Sequence, residues 1–129
     1  MKEEGILSFG SRIDPRFKVM VIYKESILYE AVKRSLDDLD SSIGALMPGK
    51  EIIIIDGERV QEDSLTDDHL LAIEAHEIAH ERLGHDGERN QAHEEEADEL
   101  AIKILDSFSR KEAANLLRER MKSLGKNSI

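Results

Sequence analysis

Two short runs of β-branched and apolar residues stand out in the first half of the chain. Phe17-Lys-Val-Met-Val-Ile-Tyr23 predicts a strand, with Asp14-Pro15 marking a turn before it. Glu51-Ile-Ile-Ile-Ile55 predicts a second, and Asp56-Gly57 reads as a hairpin turn into Glu58-Arg-Val60. Between them Ile27, Leu28, Ala31, Val32 and Leu36 recur at helical spacing, predicting a helix over about Ser26 to Leu39 before Met47-Pro-Gly49 breaks the chain. Further on the period becomes helical throughout. Thr66 or Asp67 caps a helix that runs to Leu83 and ends at Gly84, and another follows from about Gln91 to Phe108. Ser109-Arg-Lys-Glu112 fits a capping box for a last helix closing near Gly125. Strands first and helices afterwards argue for an α+β fold: a small antiparallel or mixed sheet with a hairpin, then three helices. At 129 residues the expectation is a single domain over residues 1–129.

Composition narrows the function classes. A net charge of −10 repels phosphate backbones and anionic lipid, so neither nucleic acid nor membrane is expected as a partner. The densest basic stretch, Arg110 to Lys126, still contains Glu112 and Glu119. No apolar run reaches membrane-spanning length and no signal-peptide pattern follows Met1, which suggests a cytoplasmic protein. Cysteine is absent, so disulfides and thiolate ligands are ruled out. Any metal must be held by His, Asp or Glu.

The stretch from His76 to His85, HEIAHERLGH, supplies such residues. His76 and His80 lie one helical turn apart on one face and aim their imidazoles at a common point. Glu77 sits about 100° round the helix, near enough to reach the side of a bound ion without ligating it. Two neutral nitrogens plus a carboxylate able to take a proton from metal-activated water suit a hydrolytic zinc site. Downstream, Glu94 and Asp98 are again four apart and share their face with Ala97, Ala101 and Leu105. Glu95, Glu96, Glu99 and Lys103 occupy the opposite face. Two carboxylates on an inward apolar stripe are costly unless partnered. A metal for Glu94 and an imidazole N–H for Asp98 would remove that cost together.

HExxH followed by ExxAD on two successive helices resembles the gluzincin zinc metallopeptidases. Gly84-His85 after the motif makes the soluble ImmA/IrrE-type domain the nearest likeness, over about Leu70 to Leu105. Residue by residue, the resemblance implies His76, His80 and Glu94 as ligands of one Zn2+ ion. It implies Glu77 as general base and Asp98 as the partner that orients a ligand histidine, His76 foremost. Two departures are visible: the His80–Glu94 spacer is short, and Asp98 stands where many ImmA/IrrE-type sequences carry asparagine.

The other histidines fit less well. His85 rivals Glu94 as third ligand, but the metzincin pattern HExxHxxGxxH places its last histidine one residue later, so a loop or pocket-rim role is expected. His69 is two turns from His76, about 10 Å, too far for the same ion. His93, beside Glu94, points to the flank or rim. An oxyanion stabiliser is expected downstream of the motif, yet Tyr23 and Tyr29 both precede it. That leaves His85, His93 or a C-terminal arginine such as Arg118.

The resulting expectation is a zinc-dependent peptidase acting on a polypeptide, one regulatory protein rather than many, with the sequence silent on oligomeric state. The Glu51–Ile55 strand is expected to be a buried core strand whose backbone edge could also pair with extended substrate. The leading alternative is a zinc-binding pseudo-enzyme that acts by binding a partner through the amphipathic segment Ala113 to Leu124. A metal-free helical regulator and a non-peptide hydrolase with the same ligands are the further readings.

Overall fold

The two β-branched runs become neighbouring strands, as β-branched side chains on a pleated surface favour. The computed structural model describes residues 5–38, 43–47, 50–84 and 91–127, with side chains to Met121. The chain divides into two compact units, Met1–Thr66 and Asp67–Ile129. Together they give an α+β fold with a mixed four-stranded sheet, and among the described residues no helix is long and apolar enough to cross a membrane.

The first unit holds β1 (Ile6–Gly10), β2 (Lys18–Ile22), α1 (Tyr29–Asp38), β3 (Gly44–Leu46), β4 (Ile52–Asp56) and the short α2 (Gly57–Glu62). Strand order is β1-β2-β4-β3. β1 and β3 run antiparallel to their neighbours, while β2 and β4 are parallel, with Val19 opposite Ile53 and Val21 opposite Ile55. A parallel pair needs a crossover, and α1 lies on that connection. On one face Ile6, Ile22 and Tyr29 form a core cluster backed by Met20, Val32 and Ile54. Val19, Val21, Ile53 and Ile55 alternate to the other face and are fully buried.

Four expectations need correction here. Asp56-Gly57 is not a hairpin turn: Asp56 is the N-cap of α2, its Oδ1 accepting from the backbone N–H of Glu58 at 3.0 Å and Arg59 at 3.4 Å. β4 already has β2 on one side and β3 on the other, so no place remains for a hairpin partner. Gly57 answers to packing instead, since a Cβ there would lie 2.5 Å from the Tyr23 ring. For the same topological reason β4 is a central strand, and its backbone offers no edge to an extended substrate. The first helix starts at Tyr29 rather than Ser26, because Ser26 closes a turn on Tyr23 and its Oγ accepts from Leu28 N. Ile27 and Leu28, counted to the helix face, are exposed.

The second unit is three helices, each packed on the other two: α3 (Asp67–Arg82), α4 (Gln91–Ser107) and α5 (Lys111–Asn127). Ala75, Ala79, Ala97, Ala101, Ala113 and Ala114 are all buried, and small residues at helix contacts allow close approach. α3 ends as expected, with Gly84 at φ +72° in the left-handed region. The fourth correction concerns Ser109, which does not open α5 as a capping box. It has φ +60° and closes α4 in a Schellman arrangement, with Ser109 N donating to Asp106 O and Arg110 N to Leu105 O.

Candidate metal centre

α3 is buried on nearly every side, from Leu71 to His80 apart from Ile73. Its polar residues in that stretch, Glu74, His76, Glu77 and His80, are therefore enclosed, and enclosed polar groups need partners. For the two histidines α4 supplies them at two positions one turn apart, Glu94 and Asp98, on the stripe it shares with buried Ala97, Ala101 and Leu105.

His76 Nδ1 lies 2.7 Å from Asp98 Oδ1. A carboxylate only accepts, so the imidazole carries its proton on Nδ1 and turns Nε2 the other way. That Nε2 lies 2.7 Å from Glu94 Oε2 and 3.0 Å from His80 Nε2. His80 Nε2 in turn lies 3.3 Å from the same Glu94 oxygen. The two rings stand nearly perpendicular, at 88°, with their edges converging. Three donor atoms thus form a triangle with sides of 2.7, 3.0 and 3.3 Å. Four-coordinate zinc with bonds of about 2.0–2.1 Å sets its ligands about 3.3 Å apart, close to this triangle. Lone pairs facing one another at such distances repel unless a cation lies between them. A proton on His76 Nε2 serves one contact at a time; a divalent ion serves all three.

The electrostatics tell the same story. Burial opposes charge on His76, but hydrogen bonds with Asp98 and Glu94, aided by the charge of Glu77, outweigh it and push its pKa up to about 9. Burial likewise opposes charge on Glu94, yet the hydrogen bonds from His76 and His80 prevail and hold its carboxyl far below the usual range. The site calls for positive charge at its centre. His76, His80 and Glu94 are accordingly a group able to hold a metal ion.

The remaining candidates are distributed around this triangle. Glu77 is buried on α3 and is not one of the three converging donors. His93 is half-buried on α4 and His69 half-buried in the first turn of α3, both outside the cluster. His85 lies outside the described residues. Arg118 does not approach the site: it pairs with Asp106 and donates to Asn115 Oδ1.

An arginine that does approach is Arg120, which the sequence reading passed over. Its Nη2 donates to Glu94 Oε2 at 3.3 Å, and its Nε lies 3.2 Å from Asp98 Oδ2. A signal was present, since Ala113, Leu117 and Arg120 fall at i, i+4 and i+7 on α5, and the first two are buried. A charge on an inward stripe implies a buried partner. Glu74 was also missed; it is fully buried, two residues ahead of His76.

No family model matches the chain, and neither a curated protein nor a solved structure shows significant similarity to it.

Proposed function

We propose that the protein is a zinc-dependent metallopeptidase of gluzincin type. The observation that carries this reading is the convergence of His76 Nε2, His80 Nε2 and Glu94 Oε2, with Asp98 holding the far side of the His76 ring. Two imidazoles and one carboxylate, in a chain without cysteine, suit zinc and leave a fourth position open. Zinc bound there would polarise a carbonyl and bring a water's pKa towards neutrality. Glu77, next to His76 on the same helix, takes the proton from the attacking water and passes it to the leaving amine. Asp98 keeps His76 in the tautomer that presents Nε2. The substrate in this reading is a polypeptide, one regulatory protein rather than many.

Elemental analysis and a peptide-library digest of the wild type and Glu77→Gln test this. The wild type should carry a single zinc ion and cleave few sequences. Glu77→Gln should keep the zinc and lose about 10²–10⁴-fold in rate. Zinc retention with no cleavage by the wild type would replace the peptidase reading with a zinc module that acts by binding. Cleavage at many unrelated sequences would rule out narrow specificity.

A further inference from the structure

Asp98 presents an unusual problem. It is fully buried, and while Oδ1 meets His76 Nδ1, Oδ2 has no hydrogen bond among the described residues. A buried carboxylate oxygen left in this state is strongly unfavourable unless positive charge stands close by. Arg120 Nε stands 3.2 Å away, in ion-pair range but outside hydrogen-bond geometry. The same guanidinium reaches one turn along α4 and donates through Nη2 to Glu94 Oε2, the oxygen that faces both imidazoles. Two carboxylates at i and i+4 on α4 are therefore bridged by one planar fork from α5. The Arg120 side chain is itself 46% exposed, so it stands at the outer side of the pair.

We propose that Arg120 is a positioning residue: a two-pronged clamp that fixes Glu94 as metal ligand and Asp98 as the orienter of His76, and so sets the affinity of the site for zinc. This inference rests on the zinc reading. Its sign separates it from simple electrostatics. A cation close to the ion, acting only through its charge, repels it, so its removal would tighten binding. A clamp acts through ligand geometry, and its removal weakens binding, as loss of groups that orient metal ligands does by about 10–100-fold. Lysine keeps the charge but offers a single ammonium in place of the fork.

The experiment uses the full chain as wild type, Arg120→Met and Arg120→Lys. Zinc affinity is measured by competition with a chromophoric chelator. In the zinc-free proteins, exchange of the His76 ring proton with water is followed by NMR. Arg120→Met should bind zinc about 10–100-fold more weakly. Arg120→Lys should fall short of the wild type by at least about fivefold, since one prong is lost. In the zinc-free variants the His76 Nδ1–H should exchange with water about tenfold faster or more, as Asp98 loosens. Equal or tighter zinc binding in Arg120→Met overturns the clamp, and so does wild-type affinity in Arg120→Lys, which would show that the fork is not needed. A wild type that takes up no zinc sinks the metal reading instead; the proton exchange then decides whether Arg120 holds Asp98.

Discussion

Asp56 and Asp98 are buried to nearly the same degree, 2% and 0% exposed, yet the two units treat them in opposite ways. In the sheet unit, Asp56 Oδ1 accepts from the Tyr29 hydroxyl at 3.0 Å and from two backbone N–H groups at the start of α2. Every partner is neutral and local to that unit, and the carboxylate ends β4 and begins a helix. In the helical unit, Asp98 meets a histidine through one oxygen and an imperfectly aligned guanidinium through the other. Its histidine passes the demand on to Glu94 and His80. The first arrangement is complete as it stands; the second brings three donor atoms to one point, where a metal ion could sit. Asp56 is satisfied by neutral donors, two of them backbone, whereas Asp98 leads only to other charged or titratable side chains.

The sharpest way to break this contrast is pH. Hydrogen bonds with Asp98 and Glu94 push the His76 pKa up to about 9 in the ion-free site, so an ion held there would have to displace that proton. Zinc affinity should therefore rise about tenfold per pH unit from 7 towards 9, with one proton released per ion near neutrality, measured by calorimetry in buffers of different ionisation enthalpy. The ion-free protein should behave oppositely. The raised pKa of His76 contributes stability that is full below about 6.5 and lost as pH climbs through about 9. The lowered pKa of Glu94 contributes stability present above the ordinary carboxylate value and lost only as pH falls. Thermal melts with a chelator present should thus decline from pH 6.5 to 9. Flat affinity over that range would contradict the assigned roles.

Substitution of each aspartate sharpens the comparison. Asp98→Ala should weaken zinc binding about 10–100-fold. Asp56→Ala should leave zinc affinity unchanged and cost about 1–2 kcal/mol of stability through the lost cap, read from denaturant midpoints. Interchanged effects would dissolve the distinction. The smallest effect is expected for Tyr29→Phe, about 1 kcal/mol from one hydrogen bond. Burial and the Asp56 carboxylate both push the Tyr29 hydroxyl well above its usual pKa. Folding therefore opposes its ionisation, so the wild type should lose stability as pH rises past about 10, and Tyr29→Phe should lose less.

The helical unit was the more legible half of the sequence. α3 follows from its ends, Thr66 or Asp67 before it and Gly84 after it, and α4 from its inward stripe of Ala97, Ala101 and Leu105, each within a residue or so. The pairs His76/His80 and Glu94/Asp98 were legible too, since spacings of four place side chains on one face, whereas their meeting across α3 and α4 was implied by the resemblance of HExxH and ExxAD. Arg120 was legible only as a charge on an inward stripe, because its partners lie 22 and 26 residues away, at Asp98 and Glu94, and no local pattern names them. In the sheet, β1 and β3 escaped notice. Ile-Leu-Ser-Phe-Gly carries only a weak alternation, with Leu7 and Ser8 exposed, and Gly-Ala-Leu is too short to show one. Asp-Gly misled because aspartate favours both turns and helix N-caps, and only the occupied flanks of β4 decide between them.

The most direct test is a crystal structure of the chain loaded with stoichiometric zinc, the ion located by anomalous scattering. A single ion is expected within about 2.0–2.2 Å of His76 Nε2, His80 Nε2 and a Glu94 carboxylate oxygen. An ion held elsewhere, or a triangle that stays without metal under those conditions, would contradict the zinc reading.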